Sequence, residues 1–284
     1  MVLRFTYWFV FLVAVLGSAY GGNRPVYNKG PLHFTGQSPL QTLRLDIVPT
    51  RHEILHPKAM EFDFFNSWTN RWNKSREFLI DIEIIQNIFD YSIGVGYGTE
   101  VGASIPLITT TGGQLDQFII NFHDMFNLEQ AGRTEHPRNS LSASYYIDET
   151  GEWVVLLEDK DKGTVLGDLS VFARSQIYQS QGWLKSLMLT VLFRFPTSTD
   201  RIYYGSGGTD AAFSLASKHR FNPFIVYTTL GYGMFGSGSQ YGVDLRPYQW
   251  TFFAALEWPV TKNMSIIVQE LSNSGTAKEY YDFN

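Results

Sequence analysis

Strict alternation of apolar and polar residues is the feature that most constrains the fold of this chain. In the stretch LKSLMLTVLFRFP (residues 184–196), one strand face is wholly apolar and consists of Leu187, Leu189, Val191, Phe193 and Phe195. The opposite face carries Ser186, Thr190 and Arg194. A charge in the middle of a strand is costly in the core of a soluble β-sandwich but suits the polar lumen of a membrane barrel. The pattern therefore predicts an all-β chain that folds as a transmembrane antiparallel β-barrel.

Aromatic residues at the ends of the apolar faces support the same architecture. In WTFFAALEW (residues 250–258), Trp250 and Trp258 flank an apolar face, as in the aromatic girdles of outer-membrane barrels. Aromatic residues make up 16% of the chain and charged residues only 17%, below the usual quarter. Composition alone would suit a secreted soluble β-sandwich equally well, so the alternation decides between the two.

The spacing of the strands predicts a barrel of about twelve. Eleven strands can be read, over residues 59–72, 78–97, 101–108, 141–148, 152–158, 167–179, 184–196, 211–220, 223–234, 248–259 and 264–274. Every second connection is tight (GTE, ETG, QGWL, FN and VTKN), and most of the others are long, like the periplasmic turns and extracellular loops of such barrels. Because these barrels have even strand numbers, we expect a closing strand to be missing after the final EYYDFN. The alternative is a strand wrongly divided or merged between residues 78 and 97.

The N-terminus predicts export. Arg4 precedes an apolar run, from Phe5 to Leu16, that is too short to span a bilayer, and small residues follow it. We therefore expect a signal peptide over residues 1–21, a periplasmic N-terminal segment over 22–58, and an outer-membrane barrel over 59–284 that is incomplete at its C-terminus. The chain has no cysteine, which argues against a small disulfide scaffold.

Four glycines lie in DYSIGVGYGTEVGASIPL (residues 90–107), where a phosphate-binding loop is one possible interpretation. The third glycine comes one residue too early for the dinucleotide motif, and the residues after it continue as a strand instead of a helix. We expect Gly98, Thr99 and Glu100 to form a tight periplasmic turn. The other glycines are expected where the wall curves or where side chains crowd.

A long connection between the third and fourth strands contains an amphipathic helix over residues 115–128. Its candidate plug or lid residues are Phe118, Phe122, His123 and Phe126. The helix could fold into the lumen, lie over the barrel mouth or rest on the outer leaflet. His123, Asp124 and His136 are too sparse to predict a metal site, and no cofactor is expected.

Charged residues on the polar strand faces are the candidates for lining the lumen: Asp81, Glu83, Asp168, Arg174, Arg194, Lys218 and Glu257. Charges of mixed sign can pair across a narrow lumen or line a narrow pore, and the size of the barrel does not choose between these. Ser217 and His219 share another strand face, which raises the possibility of a lipid hydrolase. They lie next to a predicted periplasmic turn, and no acidic residue is evident to orient the histidine.

Four motifs give the chain a resemblance to a known family: GPLHFTGQSPLQTLRLDIVPTR, YGTEVGASIPL, FIINFHDMFNLEQAGR and LGDLSVFARSQ. In this order they resemble an uncharacterised outer-membrane family of Gram-negative bacteria that is known only as a domain of unknown function. The resemblance covers nearly the whole mature chain and implies a β-barrel exported to the outer membrane. It implies no activity, ligand or catalytic residue.

These observations favour an outer-membrane barrel that forms a narrow channel for the passive passage of small solutes. The alternatives are a non-conducting structural barrel of the envelope and, with less support, an outer-membrane lipid hydrolase. The expected partners are outer-membrane lipid and a small solute that the sequence does not identify. A net charge of −5 without a basic patch argues against nucleic acid. The sequence leaves the oligomeric state open.

Overall fold

A computed structural model describes residues 29–36, 41, 44–76, 78–147, 150–198, 205, 207–240 and 243–276. The predicted signal peptide lies outside the described residues. Within them there is no helix long and apolar enough to cross a membrane.

Fourteen strands are described, and twelve of them form one antiparallel sheet. In chain order they are β1 (Met60–Lys74), β2 (Phe78–Gly96), β3 (Thr99–Thr111), β4 (Ser142–Ile147), β5 (Glu152–Glu158), β6 (Gly163–Leu166), β7 (Leu169–Gln179), β8 (Leu184–Phe195), β9 (Asp210–Phe221), β10 (Phe224–Met234), β11 (Ser239–Gln240), β12 (Val243–Asp244), β13 (Tyr248–Pro259) and β14 (Ser265–Asn273). The short strands β11 and β12 pair only with each other. The predicted all-β fold, with twelve antiparallel strands in one sheet, is confirmed.

Nine strands, which we call the wall strands, follow one another across the sheet in the order β1, β2, β3, β7, β8, β9, β10, β13 and β14. Long hydrogen-bonded ladders join each neighbouring pair; β1, for example, pairs with β2 from Met60 and Ile93 to Lys74 and Leu79. Among the described residues β14 does not pair with β1, so the described sheet is not closed. This arrangement is consistent with a barrel-like fold.

The turn between β2 and β3 defines one end of the wall, which we call the turn end. It consists of Tyr97 and Gly98, whose φ angles of 51° and 67° are the positive pair that a tight hairpin of this hand requires. The predicted turn over Gly98, Thr99 and Glu100 is therefore placed too late in the chain. Thr99 begins β3, and Glu100 lies within it.

The opposite end, which we call the loop end, holds β4 and β5. Residues 142–145 of β4 pair with residues 78–81, the part of β2 farthest from the turn. The sequence interpretation grouped the ETG connection with the turn-end turns, and this was wrong. These two strands and β6 extend the sheet at the loop end, and β3 and β7 pair directly with each other.

The two faces of the wall differ as the alternation predicts. On β8, Leu189, Val191 and Phe193 lie on the exposed, outward face, whereas Met188 and Thr190 are buried on the inner face. The sheet curves around this inner face. Leu245, which precedes β13, packs against Tyr145 of β4 although their strands are far apart in the sheet order.

The single described α-helix, α1 (Asp116–Met125), follows β3 at the predicted position, but it ends three residues earlier than the predicted range of 115–128. Glu83 of β2 holds the beginning of this helix, because the Glu83 carboxylate accepts the N–H groups of Gln114 and Leu115 at 3.0 and 2.8 Å. A carboxylate at this position satisfies the unpaired N–H groups of the first helical turn. The sheet therefore fixes where the helix starts.

Candidate functional site

The described part of the N-terminal segment, residues 29–36, 41 and 44–58, lies against the inner face of the wall. The segment begins at the turn end, where the N–H groups of Lys29 and Gly30 donate to Glu257 of β13 at 2.8 and 3.2 Å. Glu257 is fully buried and also accepts the hydroxyl groups of Tyr227 and Ser265, each at 2.7 Å. This carboxylate therefore joins the segment to three wall strands.

The segment reaches the loop end at Gln41 and Leu45. The side-chain amides of Gln41 and Gln249 exchange hydrogen bonds of 3.2 and 3.0 Å. The Leu45 N–H donates to Asp210 of β9 at 3.2 Å, and Asp210 also pairs with Arg194 at 2.7 Å. The described residues of the segment thus contact the inner face at both the turn end and the loop end of the wall.

The segment then returns to the turn end and meets Glu100. This fully buried carboxylate pairs with Arg51 of the segment at 2.9 Å and with Arg174 of β7 at 3.1 Å. It also accepts the Leu55 N–H at 3.0 Å. Arg51 pairs in addition with Glu61 of β1. Glu100 is therefore the centre of a buried ionic network that holds the returning limb of the segment.

Glycines on the wall make room for this segment. A Cβ atom at Gly94 would overlap the carbonyl groups of Leu55 and His56, and one at Gly231 would collide with Ile47. Gly102 makes room in the same way for the ring of Phe172 on β7. The prediction that glycines lie where side chains crowd is confirmed at Gly102, and at Gly94 and Gly231 they admit the N-terminal segment.

A cavity of about 110 Å³ remains between the segment and the wall. The segment contributes His33, Arg44 and Asp46 to the lining of this cavity. The charged residues that the wall contributes are Asp90 of β2, Arg174 of β7, Arg194 of β8 and Asp168, which precedes β7. A second, larger cleft of about 570 Å³ opens at the turn end beside His52, Glu53 and Lys218. Polar and charged side chains therefore line both spaces on the inner face.

Five of the seven candidate lumen residues lie on this inner side. Arg174, Arg194 and Glu257 make the contacts described above, Asp168 accepts the Ser198 N–H at 2.9 Å, and Lys218 donates to Glu53 at 2.7 Å. Of these five residues, the structure brings Asp168 and Arg194 together, at 4.0 Å. The other contacts described for the five are to the N-terminal segment or to residues that the sequence did not predict as lumen residues.

Asp81 and Glu83 lie on the outward face, because the residues between and beyond them, such as Ile82 and Gln86, face inward. They are buried all the same, since the connection that carries α1 covers them. Glu83 accepts the Thr111 hydroxyl as well as the helix N–H groups, and Asp81 accepts the hydroxyl of Ser140 at 3.1 Å. Their role is to hold this connection against the outside of the wall.

The helix α1 consequently lies outside the wall. Its first residue, Asp116, is buried and bonds to Asn70 of β1 at 2.9 Å and to Arg133 at 3.4 Å. Burial lowers the pKa of Arg133, and the neighbouring Asp116 opposes this effect. On the far side of the helix Phe118 and Phe126 are exposed.

The other two candidate helix residues, Phe122 and His123, contact residues of the same β3–β4 connection. The ring of Phe122 lies 4.7 Å from that of Phe126, and the Nδ1 atom of His123 lies 2.9 Å from the Glu129 carbonyl oxygen. No group of three or more metal-ligating side chains occurs in the described part of the chain.

Ser217 and His219 share the outward face of β9 near the turn end. The Ser217 hydroxyl lies 2.8 Å from His219 Nε2 and 2.6 Å from the Thr228 hydroxyl. The other ring nitrogen of His219 is buried without a hydrogen-bond partner, and the ring stacks on Trp183. A hydrolytic triad needs an acceptor at that nitrogen to orient the histidine, so the pair lacks its third member.

The sequence interpretation missed Glu100, Asp210, Arg44 and Arg51. Glu100 alternates with Gly102 and Ser104, so the strand period could have placed it on the inner face if the turn had been assigned earlier. The two arginines belong to a segment without a strand or helix period, so no local signal placed them near the wall.

A family model described as "Protein of unknown function (DUF3187)" matches residues 10–284. The chain belongs to this family. The predicted membership in a family of unknown function is thereby confirmed, and the outer-membrane location remains a prediction. Among curated proteins, none matches the chain.

Proposed function

We propose that this chain is an outer-membrane β-barrel whose lumen is closed by its own N-terminal segment. Small solutes pass only when the segment moves away from the inner face. The observation that carries this proposal is that described residues of the segment bond to wall carboxylates at both ends: Lys29 to Glu257 and Leu55 to Glu100 at the turn end, and Leu45 to Asp210 at the loop end.

The outward face supports the membrane location. Large apolar side chains remain exposed along it, including Phe193, Leu215, Leu230, Phe252 and Leu256. Soluble monomers rarely expose apolar surface of this extent, whereas a lipid-facing wall requires it. The charged residues of the same strands lie on the opposite face, where the polar segment meets them.

Three buried carboxylates hold the segment at the same time. Each anchoring carboxylate accepts backbone N–H groups of the segment, and a hydrogen bond to a charged group contributes about 1.5–3 kcal/mol. Several such anchors together make spontaneous opening rare, and the loss of one anchor shifts the equilibrium toward the open state.

Single-channel conductance in planar bilayers tests the closed state. We expect the full-length wild-type protein to conduct rarely or not at all. Glu100→Gln removes the charge that pairs with Arg51 and Arg174, so this variant should open about tenfold or more often, as expected for a loss of 1.5–3 kcal/mol.

Glu83→Gln is the matched control, because Glu83 is an equally buried carboxylate on the outward face of the neighbouring strand. Its conductance should equal that of the wild type. A wild-type protein that conducts steadily would contradict closure by the segment. If Glu100→Gln and the double variant with Asp210→Asn both stay closed, the barrel has a structural role and is not a channel.

A further inference from the structure

Buried polar atoms without a hydrogen-bond partner concentrate around one cavity. In the described part of the chain there are nine such side-chain atoms, and six of them line the 110 Å³ cavity between the segment and the wall. They are all three guanidinium nitrogens of Arg44, Nε of Arg174, Oε1 of Gln86 and Oδ1 of Asp90. Buried polar groups in folded proteins are nearly always paired, so this concentration indicates that water or a polar solute occupies the cavity.

Arg44 is the decisive residue. Its side chain is only 4% exposed, and its guanidinium group lies 4.2 Å from the centre of the Phe235 ring. The other two arginines of the cavity are neutralised: Arg174 pairs with Glu100, and Arg194 pairs with Asp210. The Arg44 guanidinium group makes no hydrogen bond to any described residue; burial lowers its pKa, and the Asp210 carboxylate partly opposes this effect.

The carboxylates of the cavity do not supply the missing partner. Asp46 accepts the Gly36 N–H at 2.6 Å and the Gln41 side-chain amide at 3.4 Å, and neither of its contacts is to Arg44. Asp210 does not supply the partner either, because its oxygens already accept the Leu45 and Gly236 N–H groups and pair with Arg194. The N–H donors of the buried Arg44 guanidinium group therefore need another acceptor. The planar donor fork of arginine matches the oxygens of a carboxylate or phosphate.

We propose that the cavity binds a small oxyanion, a carboxylate or phosphate, whose oxygens accept hydrogen bonds from Arg44 and from Nε of Arg174. The cavity volume of about 110 Å³ is enough for several water molecules or one small ion. The inference rests on the proposed function, because it names the class of solute that the closed lumen would hold. The free acceptors of Gln86 and Asp90 suit a hydroxyl group on the same ion or a companion water.

Equilibrium dialysis of the detergent-solubilised full-length protein tests this site, with radiolabelled acetate and inorganic phosphate as probes and chloride as the competing salt. We expect saturable binding of at least one probe. Arg44→Gln should weaken it about tenfold or more, because one charge-assisted contact is lost. Arg44→Lys, which keeps the charge but not the fork, should weaken it less.

Arg76→Gln is the matched control, because Arg76 is exposed beside the β1–β2 connection, and this variant should bind like the wild type. If the wild type binds neither probe saturably, or if Arg44→Gln binds as well as Arg76→Gln, the cavity holds water only and the proposal is overturned. Each sample is also run unheated and heated on a gel. If the wild type binds no probe but still migrates differently before and after heating, the barrel is intact and only the oxyanion site is wrong. If the wild type conducts steadily in planar bilayers, the proposed closure of the lumen is wrong.

Discussion

At the scale of single residues, neighbours in the chain have opposite surroundings. Val191 is one-third exposed on the outward face of β8, and the adjacent Thr190 is buried and lines the inner cavity. Both sit near the middle of the same strand, so their surroundings differ because of the strand period alone. Substitutions here separate the lipid-facing side from the inner side.

Val191→Arg should lower the free energy of unfolding in lipid by ~2–4 kcal/mol if the residue lies at the bilayer midplane. The charge would have to enter hydrocarbon, whereas Val191→Ala removes only a small part of the side chain. Denaturant titration of protein refolded into vesicles, followed by gel migration of unheated samples, measures the difference. Equal stability of the two variants would mean that this face does not contact lipid.

At the scale of elements, the helix α1 combines a firmly bound start with an unbound apolar side. Asp116 is buried against the wall, whereas Phe118 and Phe126 are 65% and 58% exposed. Because Glu83 and Asp81 fix this connection on the outward face, the helix has no access to the inner face. In an outer-membrane barrel this position corresponds to the boundary of the outer leaflet, where aromatic side chains are favoured.

The absence of cysteine allows the helix to be probed directly by single spin labels. A label at Phe126→Cys should be more accessible to oxygen, which concentrates in lipid, than to a polar nickel reagent. A label at Gln117→Cys, on the exposed polar side of the same helix, should show the reverse ratio. Matching ratios at the two positions would show that the helix lies in water or inside the lumen.

At the scale of the whole molecule, the proposed barrel combines nine wall strands with an outward apolar face and a polar inner face that contacts the N-terminal segment. We expect the protein to fractionate with the outer membrane. We also expect it to migrate differently on gels before and after boiling, because the long antiparallel ladders of the proposed barrel would resist detergent until heated. Recovery in the soluble periplasmic fraction would contradict the barrel proposal and, with it, the lipid contacts of the helix and wall.

Local patterns in the sequence were sufficient to predict most of the strands and the helix. The strands β1 to β5, β7 to β10, β13 and β14 and the helix α1 all follow from periods of two or 3.6 residues, which depend only on neighbouring residues. Only the short strands β6, β11 and β12 escaped, since two to four residues are too few to show a period. The inner positions of Arg174, Arg194 and Glu257 follow from the same alternation.

What the tertiary structure alone decided is how distant parts of the chain meet. The strand period assigns Asp81 and Glu83 to one face but not to the inner or the outer one, and pairing across the sheet settled that question. The N-terminal segment has no period at all, and its first anchor joins Lys29 to Glu257 across 228 residues. Contacts over such separations depend on the curvature and register of the whole sheet, so the residues that would close the lumen could be located only once the wall was folded.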